Sequence, residues 1–181
     1  SNCIQSSVCT IDDEISIQGH IDGPLDKVNV TGEGKALDGD ISYALLKQED
    51  TFKDIDLILN DMNSSKLFTL LGQTALLDGK ADARLHFDII NQEHKKGEIS
   101  YDVKKSDFSG LLVDLHAKIN IDNNDQTFLI DVIAPELTLH ITKGRYNQEK
   151  NTAHAFYALD IQELSHLEQL LGYKYAGPFY A

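Results

Sequence analysis

The chain has 181 residues and a formal net charge of -13, from 29 acidic against 16 basic side chains. An acidic excess of this size argues against a nucleic-acid binder, whose affinity comes mostly from Lys and Arg, and against broad contact with anionic head groups. Hydrophobic content of 41% with 25% charged residues argues against compositional disorder and is enough for one domain with a real core.

Residues 1–12 read as a flexible N-terminal tail, and residues 13–181 as a single β-rich domain. The tail holds both cysteines, Cys3 and Cys9. Their spacing suits either a disulfide in an oxidising compartment or two unpaired thiols, and no neighbouring Cys/His pair makes it a zinc site. No apolar run approaches the roughly 20 residues that cross a bilayer. The first residue is Ser and no signal-peptide core is present, so any membrane anchor is expected outside this stretch.

Beyond the tail, apolar and polar residues alternate with a period of two. "TGEGKA" at 31–36 has two glycines and a lysine but no helix after it, so it reads as strand with close backbone approach rather than a phosphate loop. In "DIDLILN" the apolar face is Ile55, Leu57 and Leu59. In "KADARLHFDIIN" it is Ala81, Ala83, Leu85, Phe87 and Ile89, opposed by Asp82, Arg84, His86 and Asp88. "GEISYDVKK" gives Ile99, Tyr101 and Val103; "LLVDLHAKINID" gives Leu111, Val113, Leu115, Ala117, Ile119 and Ile121. "ELTLHITKG" gives Leu137, Leu139 and Ile141, and "NTAHAFYALDI" gives Ala153, Ala155, Tyr157, Leu159 and Ile161. Strands of this kind bury one face and wet the other, as antiparallel sheets do. The segments between them ("LDGD", "NQEHKKGE", "DNNDQ") are short, polar and rich in Gly, Asn and Asp, which predicts hairpins.

Two segments break the period. "NSSKLFTLLG" spaces Leu67, Leu70 and Leu71 for one helix face, with Asn63 or Ser64 as N-cap and Gly72 as stop. "DIQELSHLEQLLG" does the same with Leu164, Leu167, Leu170 and Leu171, between Asp160 and Gly172. A second internal similarity links "GDISYALLK" (39–47) to "GEISYDVKK" (97–105). The predicted fold is mainly β: a long curved antiparallel meander of about eight to ten strands, groove-like (taco-like) or a half-open barrel, with two short amphipathic helices.

Catalytic signatures are missing: no H-E-x-x-H, G-x-S-x-G, P-loop or dinucleotide fingerprint occurs. His86, His116, His140 and His154 fall on the polar side of their strands, where aligned pairs would suit a transition metal and solvated surface histidines are the ordinary reading. No enzyme activity, cofactor or metal is expected. A long meander must still cover its apolar face, and two short helices cannot cover ten strands. A sheet that curls without closing leaves an apolar trough suited to acyl chains.

"ISIQGHIDGPLDKVNVTGEGKALDGDISY" resembles the recurring strand pattern of bacterial AsmA/TamB-like proteins through Gly19, Ile21, Gly23, Pro24, Leu25, Val28, Val30, Gly32 and Gly34. "ALDIQELSHLEQLLGYKYAGPFYA" is similar to the same family's helical segment through Leu159, Asp160, Ile161, Leu164, Leu167, Leu170, Gly172 and Gly177. No TamB-type C-terminal domain is evident. The resemblance implies one slice of a longer repetitive protein of Gram-negative bacteria, periplasmic and anchored in the inner membrane by a segment outside this stretch. It implies a curled sheet that carries phospholipid or another acyl-chain lipid between membranes, or supports outer-membrane assembly alongside other envelope proteins. Lipid-facing positions would be Ile55, Leu57, Leu59, Leu85, Phe87, Ile89, Leu115, Ile119, Leu139, Ile141, Tyr157 and Leu159. The alternative is an envelope scaffold with a closed core and no lipid cargo.

Overall fold

The structure, a computed structural model, describes residues 15–74, 77–108, 111–135 and 137–162. Ten strands form one antiparallel sheet in strict sequence order. They are β1 (Ser16–Asp22), β2 (Lys27–Ala36), β3 (Gly39–Gln48), β4 (Thr51–Asn63), β5 (Lys80–Ile90), β6 (Lys95–Phe108), β7 (Leu111–Asp122), β8 (Asp125–Ala134), β9 (Leu137–Asn147) and β10 (Thr152–Ile161). β1 and β10 are the two edges and do not pair with each other, so the sheet is not closed into a barrel. The expected tail lies outside the described residues, as does the second predicted helix apart from its first residues.

One helix, α1 (Ser64–Leu70), interrupts the meander between β4 and β5. Its limits follow from the predicted chemistry. The Asn63 side chain accepts from the Lys66 N–H at 3.2 Å. At the other end Gly72 sits at φ +70, its N–H donates to the Thr69 carbonyl, and the Gln73 N–H donates to the Phe68 carbonyl. That is a Schellman stop, and its left-handed residue favours glycine. The face that packs differs from expectation. Leu67 and Phe68 lie on the core, while Leu70 (43% exposed) and Leu71 (63%) face solvent. Leu71 is the C-cap, its N–H still donating to the Leu67 carbonyl at 3.0 Å.

The closed core lies under α1. Ala36, Leu37, Met62, Leu77, Ala81, Val103 and Val113 are buried there, with Met62 0% and Val103 1% exposed. Two fully buried serines fasten the covering segment. The Ser64 hydroxyl lies 2.9 and 3.0 Å from the Leu77 and Gly79 carbonyls, and the Ser106 hydroxyl donates to the Asp78 carbonyl at 2.8 Å. Leu37 and Asp38 both take positive φ (54 and 63) in the tight β2–β3 turn, which tucks the Leu37 side chain into this core.

Bulges punctuate the ladder. Asp61 (φ 54) and Lys105 (φ 51) each sit in a register shift, each just before a fully buried residue, Met62 or Ser106. In both cases the bulged N–H donates to an aspartate on the next strand: Asp61 to Asp82 Oδ1 at 2.9 Å, and Lys105 to Asp114 Oδ1 at 2.7 Å. The carboxylate satisfies an amide that the ladder leaves unpaired. The "ISY" similarity has a different status. β3 and β6 are three strands apart and run in opposite directions, so the two copies do not stack like on like.

Candidate functional site

Following the register across the sheet assembles the apolar face. One row runs through every strand: Ile17, Gly34, Ile41, Leu59, Ala83, Tyr101, Ala117, Ile130, Ile141 and Tyr157. A second crosses nine strands through Gly19, Gly32, Tyr43, Leu57, Leu85, Ile99, Ile119, Phe128 and Gly144. A third joins Met62, Ala81, Val103, Leu115, Val132, Leu139 and Leu159. Neither a charged side chain nor a side-chain amide stands in these rows.

Aromatic rings lie over glycines in the second row and in a further row on the same face, Ile55, Phe87, Gly97 and Ile121. A Cβ on Gly97 would fall 2.5 Å from Phe87 Cδ1, and one on Gly144 would collide with Phe128. The glycine leaves room for the ring to lie flat on the neighbouring strand, which keeps a strand without side-chain mass covered. "TGEGKA" belongs to the same device, since Tyr43 lies over Gly32.

Eleven of the twelve predicted lipid-facing residues therefore share this face: Ile55, Leu57, Leu59, Leu85, Phe87, Leu115, Ile119, Leu139, Ile141, Tyr157 and Leu159. Ile89 does not. A register shift after Phe87 pairs it with Lys53 and Lys96, on the charged face, and puts Ile90 in its place. The exposure of the face is uneven. Middle-strand positions are half-buried, whereas at the edges Ile21 (71%) and Tyr157 (77%) stand open.

Sequence alternation missed β8, whose Phe128, Ile130 and Val132 all join the face. Its run "TFLIDVIA" also carries Leu129 and Ile133 on the other side, which hides the period. Also missed were Lys47 and Lys95. They lie in one further row, Val28, Lys47, Phe52, Ile90 and Lys95, next to the hairpins at the end opposite α1. Among the described strand residues outside the bulges, these two lysines are the charged side chains of the apolar face.

The Tyr101 hydroxyl is buried beside Ser64 under α1. Burial pushes its pKa above the ordinary value, and the Ser64 hydroxyl partly offsets that.

The opposite face carries the charges, arranged as cross-strand pairs. His116 Nδ1 lies 2.5 Å from Asp102, His140 Nδ1 2.7 Å from Asp131, and His86 Nδ1 3.0 Å from Asp56. Asp56 also accepts from Arg84 at 3.0 Å, and His86 Nε2 reaches Asp88 at 3.2 Å. Burial alone would lower the His86 pKa, but Asp56 and Asp88 outweigh it and leave it raised. Burial likewise opposes ionisation of Asp56, yet Arg84 and His86 hold its carboxyl below the usual range. Each of these three histidines thus partners an aspartate, and among the described residues no three His, Cys, Asp or Glu side chains converge to hold a metal ion. This face also holds an open trough of about 740 Å³ lined by residues that include Gln18, His20, Glu33, Ser42 and Arg84.

No helix among the described residues is long and apolar enough to cross a membrane. Comparison with protein-family models, curated proteins and solved structures gives no match to this chain.

Proposed function

We propose that the chain is a non-enzymatic module of an AsmA/TamB-like protein whose apolar sheet face serves as a groove for phospholipid or another acyl-chain lipid. In that reading it works in the periplasm of a Gram-negative bacterium, within a protein anchored in the inner membrane. It moves lipid between membranes or supports outer-membrane assembly. The observation that carries the reading is the ten-residue apolar row from Ile17 to Tyr157, which crosses the whole sheet and ends in exposed side chains at both edges. Acyl chains offer no hydrogen bonds, so a row without charged or amide side chains suits them. Ile41, Leu59, Ala83 and Tyr101 of this row pack against the core under α1, and the apolar face that continues beyond them towards both edges is more than a soluble protein ordinarily leaves uncovered without a binding role.

Native mass spectrometry of protein extracted gently from cells tests this. Co-purified phospholipid is expected, and a clean lipid-free spectrum under several extraction conditions sinks the proposal. Tyr157→Asp with Leu159→Asp, at positions exposed enough to accept charge, should lower lipid occupancy while leaving the far-UV circular dichroism unchanged.

A second reading, an envelope scaffold without cargo, is favoured by the closed core under α1. It predicts that the same two substitutions weaken binding to an envelope protein and that no lipid is carried.

A further inference from the structure

The two ends of the apolar face differ in charge. At one end α1 and Leu77 close the face over Met62 and Val103. At the other, the row of Lys47 and Lys95 precedes the hairpins. The Lys47 ammonium donates to the Glu49 carbonyl of its own hairpin turn at 2.8 Å, and Lys95 is held over an apolar side chain, 5.8 Å from the centroid of the Phe87 ring. Beyond them stand exposed acids of the turns: Asp26 before β2, Glu49 and Asp50 between β3 and β4, and Glu93 between β5 and β6. Moving outward along the strands, the order is apolar, cationic, and then turns and strand ends in which Asp26, Glu49, Asp50 and Glu93 outnumber Lys27 and His94.

We infer that this end of the face binds the head group of a zwitterionic phospholipid, with its phosphate at Lys47 or Lys95 and its ammonium at the turn carboxylates. The inference rests on the lipid-groove reading and adds the head-group class and the orientation of the bound lipid. Acyl chains lie on the apolar rows, towards the end that α1 closes. A phosphate next to the chains and an amine further out match the charge order of the protein. A purely anionic head group meets the lysines but is repelled by the turn acids. A diacylglycerol has nothing to offer either. The two lysines stand three strand spacings apart, roughly 14 Å, so each serves a separate head group.

The test compares phosphatidylethanolamine, phosphatidylglycerol and diacylglycerol with identical acyl chains. Each is delivered from the same detergent micelle, and bound lipid is counted by native mass spectrometry. Phosphatidylethanolamine is expected to bind best. Lys47→Met and Lys95→Met should each reduce its binding about two- to fivefold, the size of a solvent-exposed ion pair, and leave diacylglycerol binding unchanged. Equal binding of all three lipids, tighter binding of phosphatidylglycerol, or no effect of either substitution overturns the head-group assignment but leaves the groove. Failure of all three lipids to bind overturns the groove reading and this inference together. Circular dichroism of the two variants separates lost binding from lost folding.

Discussion

The α1 end of the sheet and its outer edges are built from the same alternation and meet opposite fates. Met62 and Val103 on central strands are sealed by α1 and Leu77, whereas Ile21 on β1 and Tyr157 on β10 carry equally apolar side chains into solvent. The difference lies in what covers each position. A period of two decides which residues share a face; whether that face is then closed depends on elements that the alternation does not describe.

Truncation should separate the two regions most clearly. Met62→Ala leaves a cavity in a site with no exposure and is expected to cost about 2–5 kcal/mol in urea unfolding, whereas Tyr157→Ala at the edge should cost less than about 1 kcal/mol. Equal losses would mean that the edge is as closed as the core. Next in size are the bulges beside the core. Asp114→Ala removes the acceptor of the Lys105 amide and should cost about 0.5–1.5 kcal/mol, and Lys105→Gly, at φ 51, should be neutral or stabilising. The cover itself can be loosened from either end of α1. Asn63→Ala and Gly72→Ala should each lower stability by about 1 kcal/mol. Hydrogen exchange should then rise at Met62 and Ala81 before it rises in β8.

The smallest effect is expected from pH, on the charged face. The folded pKa of His86 is raised, so its contribution is complete below the unfolded value of about 6.5 and fades as pH climbs through the folded value. The folded pKa of Asp56 is lowered, so its contribution is present above about 4 and fades as pH falls through the folded value. The pair is therefore at full strength between those limits. Because both side chains are about one-third exposed, the gain is a fraction of a kcal/mol. His86→Gln should flatten the loss of stability between pH 6 and pH 8; an unchanged slope would assign that loss to other groups.

The strands and α1 were legible because their signals are local: alternation, turn residues, an asparagine cap and a glycine stop. The misses share a cause, since each depends on a neighbouring strand. Ile89 changes face because β5 gains a residue against β6. β8 joins the face although its sequence shows no clean period. The bulges at Asp61 and Lys105 take left-handed conformations without a glycine to announce them. Lys47 was within reach, since it continues the alternation of Ile41, Tyr43 and Leu45, but its meaning appears only when Lys95 is brought into the same row from β6.

The strict sequence order of the sheet also bears on how the molecule comes apart. Among the described residues each strand pairs only with the strands before and after it, and β1 does not pair with β10. Cooperativity in such a chain passes from neighbour to neighbour, as in a zipper, and terminal strands can open without disturbing the centre. Among the described residues α1 and its serine fastenings reach across several strands at once. They make β4 to β7 the part that holds longest, so a pull applied at Ser16 and Ile161 should peel the strands away from both sides towards that centre.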